Sequence, residues 1–183
     1  MKEINHKNII HCHEFYETKN NFYLVLDYCD KGDLETHMKK LRVKYLKENE
    51  CIQVIKQILK GFSELRKYDI VHRDLKLSNI FIHNDRIKIG DFGMAKVGKQ
   101  INGNAMGTPL TMAPECMNGK CEDVSKSDLW SLGIIFYKLL FGEVPFFALS
   151  LNELHGMIQK ESGRNLKFPN NINVSEKTKT LLK

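Results

Sequence analysis

An α+β fold is what this sequence predicts, with short strands in its first half and helices behind them. Three observations carry that expectation. The apolar runs Phe22-Tyr23-Leu24-Val25-Leu26 and Ile80-Phe81-Ile82 are short and rich in aromatic and branched residues, the composition of strands. Between them, Ile52, Ile55, Ile58, Leu59, Phe62 and Leu65 recur at the spacing of one helix face. Further on, residues 125–141 form an apolar stretch closed by Gly142 and Pro145, which reads as a second helix.

Taken in order, Phe22–Leu26 is expected to be a buried strand. Asn20-Asn21 supplies the turn before it, and Ile9-Ile10-His11-Cys12 is its expected hairpin partner. Asp30-Lys31-Gly32-Asp33 is a turn, and the basic run from His37 to Lys44 reads as the solvated face of a helix. Asn49 is the expected N-cap of the long helix that follows. Two strands, Asn79-Ile80-Phe81-Ile82-His83 and Arg86-Ile87-Lys88-Ile89, are joined through Asn84-Asp85. Residues 91–114 are expected to be loop, punctuated by Gly93, Gly98, Gly103, Gly107, Pro109 and Pro114. Residues 152–161 and 175–183 read as surface helices.

Composition excludes several classes. At 42% hydrophobic and 27% charged residues, the chain of 183 residues suits one folded unit rather than a disordered segment. The net charge is +6, of which residues 1–100 hold +5. A solvated helix face explains most of that surplus, so no nucleic-acid partner is expected. No apolar run approaches the ~18 residues of a membrane span, so no transmembrane segment is expected. Residues 1–7 are charged with no apolar segment behind them, unlike a secretory signal. Five cysteines with no CxxC pair suggest reduced thiols and a cytoplasmic setting. His11-Cys12-His13 is not taken as a metal site, because residues alternate between the two faces of a strand.

The chemistry concentrates in three short segments. His72-Arg73-Asp74-Leu75-Lys76-Leu77-Ser78-Asn79 follows the long helix, Asp91-Phe92-Gly93 comes twelve residues after Asn79, and Ala113-Pro114-Glu115 closes the loop. Each tripeptide alone is common. All three in order, with a hairpin between the first two, resemble the eukaryotic protein kinases. The physical logic agrees with the match: phosphoryl transfer needs charge neutralisation and an aligned acceptor hydroxyl more than covalent help from the protein. Asp91 and Asn79 offer oxygen ligands of the kind hard Mg²⁺ prefers.

The resemblance covers essentially the whole chain, and it implies the following. The fold is protein-kinase-like: residues 1–26 are a remnant of the N-lobe, 27–33 the hinge, and 34–183 a C-lobe incomplete at its end. The activity is serine/threonine protein kinase, with ATP and Mg²⁺ as cofactors and a Ser/Thr hydroxyl of a protein as acceptor. The Lys in His72-Arg73-Asp74-Leu75-Lys76, and Gly107-Thr108-Pro109, place it on the serine/threonine branch. Asp74 is then the catalytic aspartate, Lys76 its phosphate-contacting partner, and Thr108 a hydroxyl bracing both. Asn79 and Asp91 hold the metal ions. Leu26 is the gatekeeper, backbone groups of Asp27 and Cys29 meet the adenine edge, Asp33 lies near the ribose, and Phe81 packs under the purine. Asp128 braces the backbone of the catalytic loop. Ile87 to Lys96 and Asn165-Leu166-Lys167-Phe168-Pro169 resemble the autophagy-initiating (Unc-51-like) kinases, whereas Tyr28 to Leu34 is as similar to the NIMA-related group.

Departures from the family pattern carry their own expectations. A Gly-rich loop and a VAIK lysine are absent from the front, so low activity is expected of this chain by itself. A kinase-like scaffold without catalysis is the alternative reading. Residues 94–107 contain no Ser, Thr or Tyr, and Asn104 stands where many relatives carry an activating phosphothreonine, so activation by phosphorylation there is not expected. Ser78 and Lys138 occupy positions where arginine-directed kinases place acids, so no strong preference for basic residues upstream of the acceptor is expected. Nothing in the sequence names a regulatory partner.

Overall fold

The long helix and the hairpin that lies on it set the frame of the molecule. The structure, a computed structural model, describes residues 2–98, 107–117 and 126–183. In chain order it runs β1 (Cys12–Glu17), β2 (Phe22–Leu26), α1 (Leu34–Lys40), α2 (Glu48–Lys67), β3 (Ile70–Val71), β4 (Ile80–His83), β5 (Arg86–Ile89), β6 (Lys96–Val97), α3 (Pro114–Met117), α4 (Ser127–Phe141), α5 (Leu151–Glu161) and α6 (Glu176–Leu182). The strands form three separate antiparallel pairs, β1–β2, β3–β6 and β4–β5. This is the α+β architecture the sequence predicts.

α2 buries Cys51, Ile55, Ile58, Gly61 and Leu65 along one stripe. Leu59 was expected on that stripe but lies beside it, 43% exposed. The N-cap is Lys47, not Asn49: the Glu50 carboxylate accepts the Lys47 N–H at 2.9 Å, so the helix starts with Glu48. α4 is buried over most of its surface and ends at Gly142, whose φ of 77° closes the helix through its N–H to the Lys138 carbonyl. A side chain there would meet Lys44, since a Cβ would lie 2.7 Å from its Cγ.

β4 and β5 pair as Ile80↔Ile89, Phe81↔Lys88, Ile82↔Ile87 and His83↔Arg86. The turn residues Asn84 (φ 49°) and Asp85 (φ 60°) both sit in the left-handed region, as a two-residue hairpin with right-handed twist requires. The four isoleucines are buried in the main core with Ile58, Leu65, Ile135, Leu139 and Phe141. Phe81 and Lys88 alternate onto the other face, toward residues 27–33; Asp33 bridges to Phe81.

Several sequence expectations are corrected. β2 is not buried: Phe22, Tyr23, Leu24, Val25 and Leu26 are 44–69% exposed, because only β1 lies beside them among the described residues. Its partner is Cys12–Glu17 rather than residues 9–12. Ile9 and Ile10 are drawn away to β5, where the Ile10 N–H donates to the Ile89 carbonyl (2.8 Å) and the Ile89 N–H to the Asn8 carbonyl (2.9 Å). The expected loop 91–114 contains β6, which pairs with β3. Cys12, Cys29 and Cys51 are free thiols, but Cys116 is disulfide-bonded, against the expectation of uniformly reduced cysteines. His11 and His13 meet edge to face at 4.8 Å, with the His11 Nδ1 on the Ile4 carbonyl and the His13 Nε2 on Asp27. No helix among the described residues is long and apolar enough to cross a membrane.

Candidate active site

The segment from His72 to Asn79 leaves β3 and is held from three sides. Asp128, at the start of α4, accepts the His72 N–H at 2.7 Å and the Arg73 N–H at 2.8 Å. Burial pushes its carboxyl up, and the two backbone N–H groups oppose that by favouring the anion. Arg73 takes a φ of 68°, a left-handed residue held by these two bonds. His72 is fully buried, with its Nε2 on the Gly90 carbonyl at 2.8 Å and its ring against Phe92 at 5.1 Å. One buried imidazole thus ties this loop to the residue preceding Asp91.

Asp74 is the centre of the resulting cluster and is 9% exposed. Its Oδ1 accepts from the Thr108 hydroxyl (2.7 Å) and the Thr108 N–H (2.9 Å). Its Oδ2 accepts from Lys76 Nζ at 2.8 Å, and Lys76 Nζ also reaches Thr108 Oγ1 at 3.1 Å. Three residues expected from the sequence to act together therefore form a closed triangle across 34 positions of chain. Burial by itself would raise the Asp74 carboxyl; the Lys76 and Thr108 bonds outweigh it and hold the group below the usual carboxylate range. Gly107 permits the approach of Thr108, for it has a φ of 114° and a Cβ there would lie 2.6 Å from the Arg73 carbonyl oxygen.

Asn79 is buried and donates its Nδ2 to the Asp74 carbonyl at 2.8 Å and to Asp74 Oδ2 at 3.4 Å, which leaves its Oδ1 as an acceptor. Asp91 is exposed, with φ 57°, and among the described residues its carboxylate accepts only the Gly93 N–H, at 3.3 Å. Phe92 turns the other way, into the main core. Asn79 precedes β4 and Asp91 follows β5, so both lie at the open end of that hairpin, where the Gly90 N–H donates to the Asn79 carbonyl at 3.0 Å. Their oxygens fit a hard divalent cation in type and charge.

The remaining expected residues lie along one edge. Leu26 ends β2 opposite Cys12 and is 45% exposed. The Cys29 carbonyl accepts the Gly32 N–H at 3.0 Å, while its own N–H makes no hydrogen bond among the described residues. Asp33 caps α1 by accepting the Thr36 N–H at 2.8 Å; burial opposes ionisation, yet the bonds from Thr36 hold its carboxyl low. Phe81 is half-buried next to it. Asp27 is engaged through its side chain, which accepts from the His11 N–H (3.0 Å), His13 Nε2 (3.0 Å) and Lys88 Nζ (2.9 Å). Lys88 was not singled out in the sequence, since a strand lysine opposite a phenylalanine gives no sign of a carboxylate 61 positions away. Asn104 and most of the segment without Ser, Thr or Tyr lie outside the described residues.

Comparison with protein families matches the protein kinase domain over residues 1–183. Among individual proteins, the chain is similar to serine/threonine-protein kinase 33 of Mus musculus, 36% identical over 201 residues that cover 100% of this chain and 40% of that one. It is 37% identical to serine/threonine-protein kinase polo of Drosophila melanogaster, over 87% of this chain and 28% of the relative. It is 36% identical to serine/threonine-protein kinase ULK1 of Homo sapiens, over 87% of this chain and 16% of the relative. The chain thus spans well under half the length of these relatives, and three differently named kinases stand at near-equal identity.

Proposed function

The chain belongs to the protein kinase family, and from that premise we propose that the protein containing it transfers the γ-phosphoryl group of ATP to a serine or threonine hydroxyl of a protein substrate. Residues 1–26 belong to the N-lobe in this reading, 27–33 to the hinge and 34–183 to the C-lobe. The single observation that carries it is the triangle of Asp74, Lys76 and Thr108 beside Asn79.

Asp74 accepts a hydrogen bond from the incoming hydroxyl and aims its oxygen. Lys76 and Thr108 lower the basicity of this carboxylate, so it orients the hydroxyl early and takes the proton late. That order suits a loose transition state, in which the acceptor oxygen gains little bonding before the phosphoryl group has moved. Lys76, with its ammonium one bond away, neutralises charge developing on the transferred group. Asn79 Oδ1 and the Asp91 carboxylate would hold Mg²⁺, which when bound would supply neutralisation of phosphate charge. The Cys29 N–H, which makes no hydrogen bond among the described residues, and the Asp27 backbone serve the adenine edge behind the Leu26 gatekeeper, Asp33 the ribose and Phe81 the purine face. The free thiols of Cys12, Cys29 and Cys51 favour action in the cytoplasm, and the disulfide-bonded Cys116 counts against it.

The test is phosphorylation of a Ser/Thr peptide library by the protein containing this chain, with Asp74→Ala as the comparison. A loss of about 10²–10⁴-fold in kcat with an unchanged far-UV spectrum is expected, the range for a positioned acid–base group. Equal turnover by Asp74→Ala would remove Asp74 from the chemistry, and turnover by neither protein would favour the non-catalytic scaffold. Thr108→Glu is expected to lower activity; activation by that change would show that Thr108 is not a brace.

A further inference from the structure

Lys88 is a buried cation that none of the proposed chemistry uses. It lies on β5, three residues before Asp91, with its side chain only 11% exposed. Its Nζ donates to Asp27 Oδ2 at 2.9 Å and to the Ile9 carbonyl at 3.2 Å. Asp27 in turn accepts from the His11 N–H and His13 Nε2. Four segments therefore converge on one carboxylate–ammonium pair: residues 9–11, β1, the start of the 27–33 segment, and β5.

We infer that the Lys88–Asp27 pair is a clamp that positions the adenine-binding segment against the strand carrying Asp91, so that base recognition and metal-ligand placement are set by one contact. Lys88 is a positioning residue in this scheme and touches neither nucleotide nor metal.

The argument rests on what the pair can and cannot do. Removing two charges from water costs several kcal/mol per ion, and such pairs add little net stability compared with apolar residues of like size. Their effect is geometric, since a pair with good hydrogen bonds tolerates few alternative arrangements. The backbone around Lys88 is already latched, because Ile89 exchanges hydrogen bonds with Asn8 and Ile10. Among the described residues, 27–29 have no comparable latch to β5 except through Lys88; the Asp27 N–H goes to the His11 carbonyl at 3.1 Å. From Lys88 the path to the metal ligand is short and stiff. Gly90 is held by Asn79 and His72, and a Cβ on it would lie 2.4 Å from Ile10 Cδ1 and 2.9 Å from the Phe81 ring. A displaced 27–29 segment would then shift against a β5 that cannot follow. The three bonds that Asp27 accepts hold its carboxyl down, against the effect of burial, to about 2, so it is ionised throughout the physiological range.

The functional half of this inference rests on the nucleotide reading above; the structural half rests on geometry alone, and the test separates them. On the protein containing this chain, three quantities are measured for wild type, Lys88→Met, Lys88→Arg and Asp27→Asn: adenosine affinity, the ratio of ATP affinities with and without Mg²⁺, and amide exchange in the ligand-free protein. Adenosine reads the base and ribose subsite without phosphates or metal. Lys88→Met and Asp27→Asn are each expected to weaken adenosine about tenfold and to shrink the Mg²⁺ enhancement, within the usual 5–150-fold span of coupling between sites. Lys88→Arg is expected to restore most of both. The Asp27 amide is expected to exchange about tenfold faster in the first two variants, with α4 amides unchanged. Unaltered adenosine affinity alongside general destabilisation would overturn the inference, leaving an ordinary buried ion pair. Tighter adenosine binding by Lys88→Met would overturn it too, making the pair a restraint. If wild type binds neither adenosine nor Mg-ATP, the nucleotide reading fails, and the exchange data alone decide whether the clamp exists.

Discussion

The two hairpins of this molecule, β1–β2 and β4–β5, are built alike and end in opposite surroundings. Each is a two-stranded antiparallel pair with branched or aromatic residues along both strands. In β4–β5, Ile80 and Ile89 are fully buried and Ile82 and Ile87 nearly so. In β2, every residue is exposed by 44% or more. An isolated two-stranded hairpin is marginal in water, so what matters is the surface it meets. β5 lies on α2, where Gly61 lets the backbones close up: a Cβ there would be 2.7 Å from Ile89 Cδ1 and 2.9 Å from the Asn8 carbonyl oxygen. β1–β2 has no helix beneath it among the described residues and is joined to the rest through residues 9–11 and the Asp27–Lys88 pair. The lesson is that a strand's apolar content records its capacity to be buried, and the neighbour decides whether it is.

Substitutions can break that comparison. The largest effect is expected for Ile89→Ala, which empties a fully buried site and should cost about 2–5 kcal/mol in denaturant unfolding. Leu24→Ala, the same kind of truncation on β2, should stay within about 0.5 kcal/mol. Equal costs would mean that β2 is covered after all. Next comes Gly61→Ala, expected to cost about 1–3 kcal/mol by overpacking. The Asn8 carbonyl cannot retreat without loosening its bond from the Ile89 N–H, so relief is not available locally. A neutral result in thermal unfolding would show that α2 and β5 can slide apart, and the contrast between the hairpins would lose its cause.

A further effect concerns acid. Asp27 has a folded pKa of about 2, below the ordinary value of a carboxylate. A depressed carboxyl contributes stability above its unfolded pKa, and that contribution fades as pH falls from about 4 toward 2. Asp27→Asn should therefore flatten this part of the stability–pH curve while leaving the neutral region parallel to wild type. An unchanged acid limb, read by denaturant midpoints at successive pH values, would show that Asp27 is not held as its three partners require.

Much of the site could be read directly from the chain. The resemblance to the protein kinases points to Asp74, Lys76, Asn79, Thr108 and Asp91, and four of the five meet in one hydrogen-bonded cluster. The Asp91 carboxylate is outside that cluster, but Gly90 before it is bonded to Asn79 and His72. The fold was legible where a local rule governs it: Asn84-Asp85 has to turn, Gly142 has to cap, and α2 has to present its stripe. It was not legible where distant segments compete. Residues 9–12 were read as the partner of β2 because they were nearby and apolar, yet β5 claimed Ile9 and Ile10 and moved the hairpin to Cys12–Glu17. Asn49 reads as the N-cap, but the Glu50 carboxylate accepts the Lys47 N–H and starts the helix from a cap two residues earlier.

By itself, the amino-acid order determined the chemistry on offer: which side chains can accept a proton, neutralise a phosphate or bind a hard cation, and how many residues separate them. Those properties belong to residues and to short-range geometry, where a helix repeat, a turn dihedral or a capping box acts within a few positions. Tertiary structure alone decided which of those side chains share a site, that Thr108 crosses 34 residues to Asp74, that Lys88 crosses 61 to Asp27, and that one hairpin is core while the other is surface. The reason is that burial and charge pairing are properties of what lies opposite, and what lies opposite is set by the packing of α2, α4 and the β4–β5 hairpin as a whole.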